Sequence, residues 1–187
     1  KLIKKLKIKN FYTYGMNANA NFNIVKIIQK KLNSKFNVVV RLPGKKKFLI
    51  HNVSIPLLGH HNIRNATAAI AAALCIGIPI KTIKEGLLGF KGVQRRFNKL
   101  FEFKGAEFFD DYAHHPSEIK EVLNGVRQAY KKEKIVCVFQ PHRISRLKDL
   151  REDFSRSFRI ADEVVLCPIY AAGEKINLGF KYQNFAK

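Results

Sequence analysis

Two apolar runs in the second half of this chain each end in a dense cluster of reactive side chains, with a helix-length stretch between them. Phe108-Phe109 runs into Asp110-Asp111-Tyr112-Ala113-His114-His115-Pro116. Lys134-Ile135-Val136-Cys137-Val138-Phe139 runs into Gln140-Pro141-His142-Arg143-Ile144-Ser145-Arg146. An apolar run that turns polar at a strand's carboxyl end is where an open α/β sheet places its binding crevice. Two adjacent acids are costly to bury unless a metal, a base or a phosphate-handling site uses them. Alone, the first run also reads as an Asp N-cap followed by two solvated histidines. Two consecutive strands ending this way favour one site over two accidents.

The surrounding pattern sets the fold class as α/β. After a hairpin at 100–104 and 106–112 around Gly105, Pro116 starts a helix to about Lys131. A strand at 134–139, a helix at 145–159 and a strand at 163–167 follow, so the second half reads β-α-β-α-β with three parallel strands. The first half reads differently. Strands are expected at 7–14, 22–31, 36–42 and 46–55, with Asn33-Ser34 as a turn. Gly59-His60-His61-Asn62 then opens an alanine-rich helix over 66–76, stopped by Gly77 and Pro79, and a short helix over 79–88 follows. The change of pattern near Arg95-Arg96-Phe97 divides the chain into 1–97 and 98–187.

Charge changes at the same place. Residues 1–97 hold 19 Lys+Arg against the single acid Glu85, a net +18; residues 98–187 hold 16 against 13, a net +3. A nucleic-acid partner is one reading of so basic a half. Its lysines, however, fall singly or in short groups without a regular aromatic stacking series, so no nucleic-acid partner is expected. No apolar run approaches the roughly 20 residues that span a bilayer, and the start is too lysine-rich for a signal peptide. Cys75, Cys137 and Cys167 sit singly in apolar segments. That pattern reads as reduced core residues of a cytoplasmic protein, not as a disulfide frame or a zinc site. The oligomeric state stays open.

Three further groups carry chemistry. Asn62 and Asn65 sit three apart at a helix start, where both amides can face one ligand, and an amide offers the donor and acceptor that an adenine edge requires. Asn62 as a mere cap is the plainer reading. Arg95-Arg96 suits a phosphate clamp, since a guanidinium fork matches phosphate oxygens; a solvated pair explains it equally. His142, Arg143 and Arg146 put donors and cations at a strand's end, fit for a carboxylate or phosphate. No GxxxxGK[ST] loop occurs in the chain.

In order, these motifs resemble the Mur ligases, the ATP-dependent amino-acid ligases of peptidoglycan precursor synthesis. The likeness runs through Thr13-Tyr14-Gly15, Gly59-x-His61-Asn62-x-x-Asn65-Ala66, Phe90-Lys91-Gly92-Val93-x-Arg95-Arg96-Phe97, Asp110-Asp111-Tyr112-x-His114-His115-Pro116 and Phe139-Gln140-Pro141-His142-Arg143-x-Ser145-Arg146. Ala113 and Ile144 depart from the family's usual glycine and tyrosine. Within the family, Gln140-Pro141-His142-Arg143 goes with ligation of L-alanine to UDP-N-acetylmuramate. Ligases that recycle a murein tripeptide typically read Glu-Pro-Arg-Ser-Asn-Thr there, and they remain the alternative.

The resemblance implies that residues 1–97 are the end of a central ATPase domain and 98–187 the first part of a Rossmann-like C-terminal domain. It implies ATP and Mg2+, with the phosphate loop and the metal ligands upstream of Lys1, no metal ligand in this chain, and no turnover by the chain alone. Asn62, Asn65, Arg96 and Asp111 would then serve the nucleotide. Tyr112, His114, His142, Arg143 and Arg146 would serve the amino acid, Arg96 and His114 would act in the chemistry, and His114 is the candidate base.

Overall fold

A computed structural model describes residues 11–30 and 32–174; residues 7–10 of the strand expected at 7–14 lie outside them. The chain divides into two compact units after Lys91.

In the first unit, β1 (Tyr14–Gly15), β2 (Phe22–Lys30), β3 (Asn33–Val40) and β4 (Phe48–Ile55) form one sheet in that order. β1 runs parallel to β2, and the other neighbours are antiparallel. Asn33 and Ser34 belong to β3 instead of forming a turn. Lys30 pairs with Asn33, and buried Ser34 donates through Oγ to the Leu57 carbonyl at 2.7 Å. A register shift lies between Phe36 and Val38. There the buried Asn37 side chain accepts the backbone N–H of left-handed Asn52 at 2.8 Å, which satisfies a donor the ladder loses.

Alternate positions of the strands, Phe22, Ile24, Phe36, Val38, Val40, Ile50, Val53 and Ile55, turn one face of the sheet into a core. Ile63, Ala66 and Ile70 of α1 (His60–Cys75) and Ile83 of α2 (Ile80–Gly89) cover it. The three-to-four spacing in α1 is the apolar stripe that a helix needs to lie on a sheet. α1 starts six residues before the expected 66, so both asparagines fall in its first two turns. It stops in a Schellman turn. Ile78 N–H donates to Ala73 at 3.0 Å and left-handed Gly77 N–H to Leu74 at 3.1 Å, with Gly77 at φ 86°.

The second unit begins with the antiparallel hairpin of β5 (Asn98–Phe103) and β6 (Ala106–Asp110). Its turn residues Lys104 and Gly105 both have positive φ, as a type I′ hairpin turn requires. α3 (Pro116–Ala129), β7 (Val136–Phe139), α4 (Ile144–Asp149), α5 (Arg151–Ser157) and β8 (Glu163–Leu166) follow. β7 and β8 are parallel, Val136 opposite Glu163 through Phe139 opposite Leu166.

Three expectations are corrected here. The helix at 145–159 is two helices, separated at Leu150 with φ −118° and ψ 26°. Among the described residues, β6 does not join β7 and β8 as a third parallel strand. It pairs with β5 in a separate two-stranded sheet, and Tyr112 just beyond it donates to the Arg95 carbonyl at 2.7 Å. A tight turn makes the hairpin pairing cheap, because little chain entropy is lost in closing it, and the other edge of β6 carries no strand among the described residues. Phe97 stacks face to face on Phe109 at 4.4 Å and fixes that end of the hairpin. Ile119, Leu123, Ile135, Phe139, Leu147 and Phe154 form the second core, where α3 and α5 meet the inner side of β7. Cys75 is exposed and so is not a core residue; Cys137 and Cys167 are half-buried. Among the described residues no helix is long and apolar enough to cross a membrane.

Candidate functional site

The first unit presents the start of α1. Its cap is Gly59 at φ 88°, where a Cβ would lie 2.6 Å from Cε1 of His61, so any other residue would have to displace that imidazole at a φ that already favours glycine. Asn62 is not the cap. It is half-buried and donates through Nδ2 to the Leu58 carbonyl at 2.7 Å, tying the first turn to the incoming chain. Asn65, one turn on, is exposed.

The second unit gathers the polar runs. Asp110 faces Arg95 at 3.7 Å, an exposed pair. Asp111 turns back to accept the Ala113 N–H at 2.7 Å, which bends the chain out of the strand. Arg95 lies over the Tyr112 ring at 5.2 Å, and the Tyr112 ring meets His114 edge-on at 5.0 Å. His114 and His142 come within 5.9 Å of each other, and His142 lies 5.4 Å from Tyr170. The two runs therefore meet through their imidazoles.

The histidines of the first run have different tasks. His114 Nδ1 lies 2.9 Å from the Tyr112 carbonyl, and a ring nitrogen that bonds a carbonyl must carry the proton. The neutral ring then keeps Nε2 as its acceptor. His115 is the N-cap of α3, its Nδ1 accepting the Ser117 N–H, while Glu118 Oε2 accepts the His114 and His115 N–H groups at 3.1 and 3.2 Å. This is a capping box with histidine in the usual place of serine or threonine. Burial works to raise the Glu118 pKa. The backbone donors, His114 and Arg96 outweigh it, and the carboxyl sits below its ordinary range.

Beyond β7, His142 pairs in parallel with Tyr170: Arg143 N–H donates to the Tyr170 carbonyl at 3.0 Å and Tyr170 N–H to Pro141 at 2.8 Å. Arg143 caps α4 with φ 70°, a left-handed conformation that a non-glycine residue adopts at a cost. Its side chain is exposed, and Arg146, half-buried, donates to the His142 carbonyl at 3.5 Å. His142 Nδ1 is buried without a hydrogen-bond partner among the described residues. Burial first, then Arg146, His114 and Arg143, push the His142 pKa down, while Glu174 pulls the other way. Glu174 takes the Ser145 hydroxyl at 2.6 Å and the Ser145 N–H at 3.0 Å, and these bonds hold its carboxyl below the ordinary range.

Of the residues expected at a site, Tyr112, His114, His142, Arg143 and Arg146 thus come together. Arg96 is exposed and within electrostatic reach of Glu118, and Asp111 shapes the turn. Asn62 and Asn65 lie in the other unit. Glu118, Tyr170 and Glu174 were not anticipated. Glu118 could have been, since an acid two residues after a helix-starting proline is a capping-box signal. Tyr170 and Glu174 follow the third strand, where the rule applied to the first two strands also points.

This arrangement has known counterparts. Residues 1–73 match the Mur ligase middle domain and residues 95–185 the Mur ligase, glutamate ligase domain. The chain belongs to the Mur ligase family. It is 62% identical over 186 residues to UDP-N-acetylmuramate--L-alanine ligase of Pelagibacter ubique (strain HTCC1062), covering 100% of this chain and 40% of that protein. It is 42% identical over 176 residues to the ligase of the same name from Bartonella tribocorum (strain CIP 105476 / IBS 506), covering 94% of this chain and 37% of that protein. The solved UDP-N-acetylmuramate-alanine ligase of Thermotoga maritima is similar in fold, with a TM-score of 0.69 and 30% identity over 87% of this chain and 35% of that one. The chain spans about two fifths of the length of these curated relatives.

Proposed function

We propose that this chain supplies the adenine-side helix and the amino-acid side of an ATP-dependent ligase that joins L-alanine to UDP-N-acetylmuramate. The supporting observation is the juxtaposition of Tyr112, His114 and His142 beside Arg143 and Arg146. In this reading the two arginines bind the carboxylate of L-alanine, with charge-assisted bonds for which a guanidinium fork is shaped. His114, with its Nε2 lone pair, takes a proton from the amine, which attacks the carbonyl carbon of an acyl phosphate; the carbon–nitrogen bond forms and inorganic phosphate leaves. Arg96 meets developing phosphoryl charge, Asp111 supports the nucleotide, and Asn62 and Asn65 face adenine, with Asn65 the less committed of the two amides. That acyl phosphate would form when the substrate's carboxylate oxygen takes the γ-phosphoryl group of ATP and ADP leaves, and Mg2+ would offset phosphate charge there. Among the described residues no group of three His, Cys, Asp or Glu side chains is placed to hold a metal, so no residue is assigned to Mg2+.

The test grafts residues 1–187 into the Pelagibacter relative in place of its matching segment. Arg143→Ala should raise the KM for L-alanine about ten- to a hundredfold and leave the KM for ATP nearly unchanged. If the graft prefers the tripeptide L-alanyl-γ-D-glutamyl-diaminopimelate over L-alanine, the chain serves the recycling reaction and this reading is wrong.

A further inference from the structure

Among the described non-glycine residues of the second unit, Arg143 has the largest positive φ, 70°. It sits between two anchors that come from one loop. On its own N–H it is bonded by the Tyr170 carbonyl at 3.0 Å, and two residues later Ser145 is bonded twice by Glu174, at 3.0 Å to its N–H and 2.6 Å to its hydroxyl. The Tyr170 N–H returns to Pro141 at 2.8 Å, so the loop after β8 grips the loop after β7 on both sides of His142 and Arg143. A strained conformation persists only where its surroundings over-determine it. Here four hydrogen bonds from residues 170–174 do so.

We infer that Glu174, assisted by Tyr170, is a positioning residue: it locks the left-handed turn at Arg143 and so fixes the directions from which His142 and Arg143 reach a substrate carboxylate. The carboxylate role rests on the ligase reading; the lock does not. Glu174 itself need not touch substrate. An acid beside a cationic cluster would weaken anion binding were it loose, but both oxygens of this one are turned onto Ser145.

The experiment uses the 187-residue chain, labelled for NMR of backbone amides and histidine rings, and titrated separately with L-alanine and ATP. Glu174→Gln keeps the shape but cannot accept both Ser145 donors. It should move the Arg143 and Ser145 amide signals, speed hydrogen exchange at Ser145 about tenfold, and weaken L-alanine about three- to tenfold with ATP binding unchanged. Ser145→Ala removes one partner of the same contact. The double variant should weaken L-alanine by less than the product of the two single effects, since both delete one interaction. Unchanged Arg143 and Ser145 signals in Glu174→Gln overturn the proposal, as does equal weakening of L-alanine and ATP, which a purely structural role would give. If the parent chain ignores L-alanine, also when grafted into the Pelagibacter relative, while the Arg143 and Ser145 signals still shift in the variant, the lock stands and the ligase reading falls.

Discussion

The imidazoles of His114 and His142 lie 5.9 Å apart although they follow strands that share no ladder among the described residues. Their meeting depends on two loops, each braced by its own carboxylate: Glu118 under the first, Glu174 under the second. What brings the polar runs together is loop anchoring as much as sheet order.

His142 should titrate below the ordinary histidine value of 6.5, because burial and the neighbouring cations disfavour its charged form. In the native state it then stays neutral while the unfolded chain is already taking up a proton. Native stability should therefore decline as pH falls below about 6.5 toward the folded pKa, and this contribution should be constant above that window. Histidine NMR checks it: Arg146→Met should move the His142 midpoint upward. A midpoint at or above 6.5 in the parent chain would be inconsistent with the geometry.

Glu118→Ala should destabilise the second unit by about 0.5–1 kcal/mol, the size of a lost cap, taken at the low end because the side chain is partly exposed. Its folded pKa lies below the ordinary 4.5, so its contribution is present above that pH and lost as pH drops through the folded value. Urea unfolding at pH 7 and pH 3 measures both. The variant should differ from the parent at pH 7, and the gap should narrow at pH 3.

Asn62 and Asn65 should separate. Asn62→Ala breaks the bond to Leu58 and should cost about 1 kcal/mol of stability. Asn65→Ala, at an exposed position, should leave stability within about 0.5 kcal/mol. ATP titration of the chain should show both weakened. Asn65→Ala binding ATP as the parent does would remove that residue from the nucleotide.

Gly59→Ala should cost about 1–3 kcal/mol, since it adds a Cβ against His61 at a left-handed position. Urea unfolding measures the loss, and amide shifts of residues 59–62 report whether the start of α1 has moved. A change under 0.5 kcal/mol would mean that the turn relaxes at little cost.

Where the sequence carried period and punctuation, the elements could be read from it. Gly77 and Pro79 marked the end of α1, Gly105 the hairpin, and Pro116 the start of α3. Asn33-Ser34 misled because both are turn formers by type, whereas Ser34 is buried and its hydroxyl bonded to Leu57, a tertiary contact that local propensity does not register. The third parallel strand failed for a related reason: the strand and its hairpin were visible, but pairing of its other edge with a strand far along the chain is a tertiary contact that local pattern does not register. At the site, the residue types and their two clusters were visible in order. What was hidden was bracing from a distance, Glu174 on Ser145 and Tyr170 on Arg143, because no spacing rule links positions so far apart. The left-handed Arg143 was hidden as well, since nothing in its residue type announces it.

His114 and His115 are the same letter twice, yet their tolerance of replacement should be opposite. At His115 the task is to accept one N–H at the head of a helix, which serine, threonine, aspartate or asparagine performs as well. Its imidazole is an interchangeable spelling. His114 has its Nδ1 proton committed to Tyr112 and its ring set against His142, and no other side chain offers both a donor and a lone pair across such a ring. A library randomising both codons should return many answers at the second and one at the first.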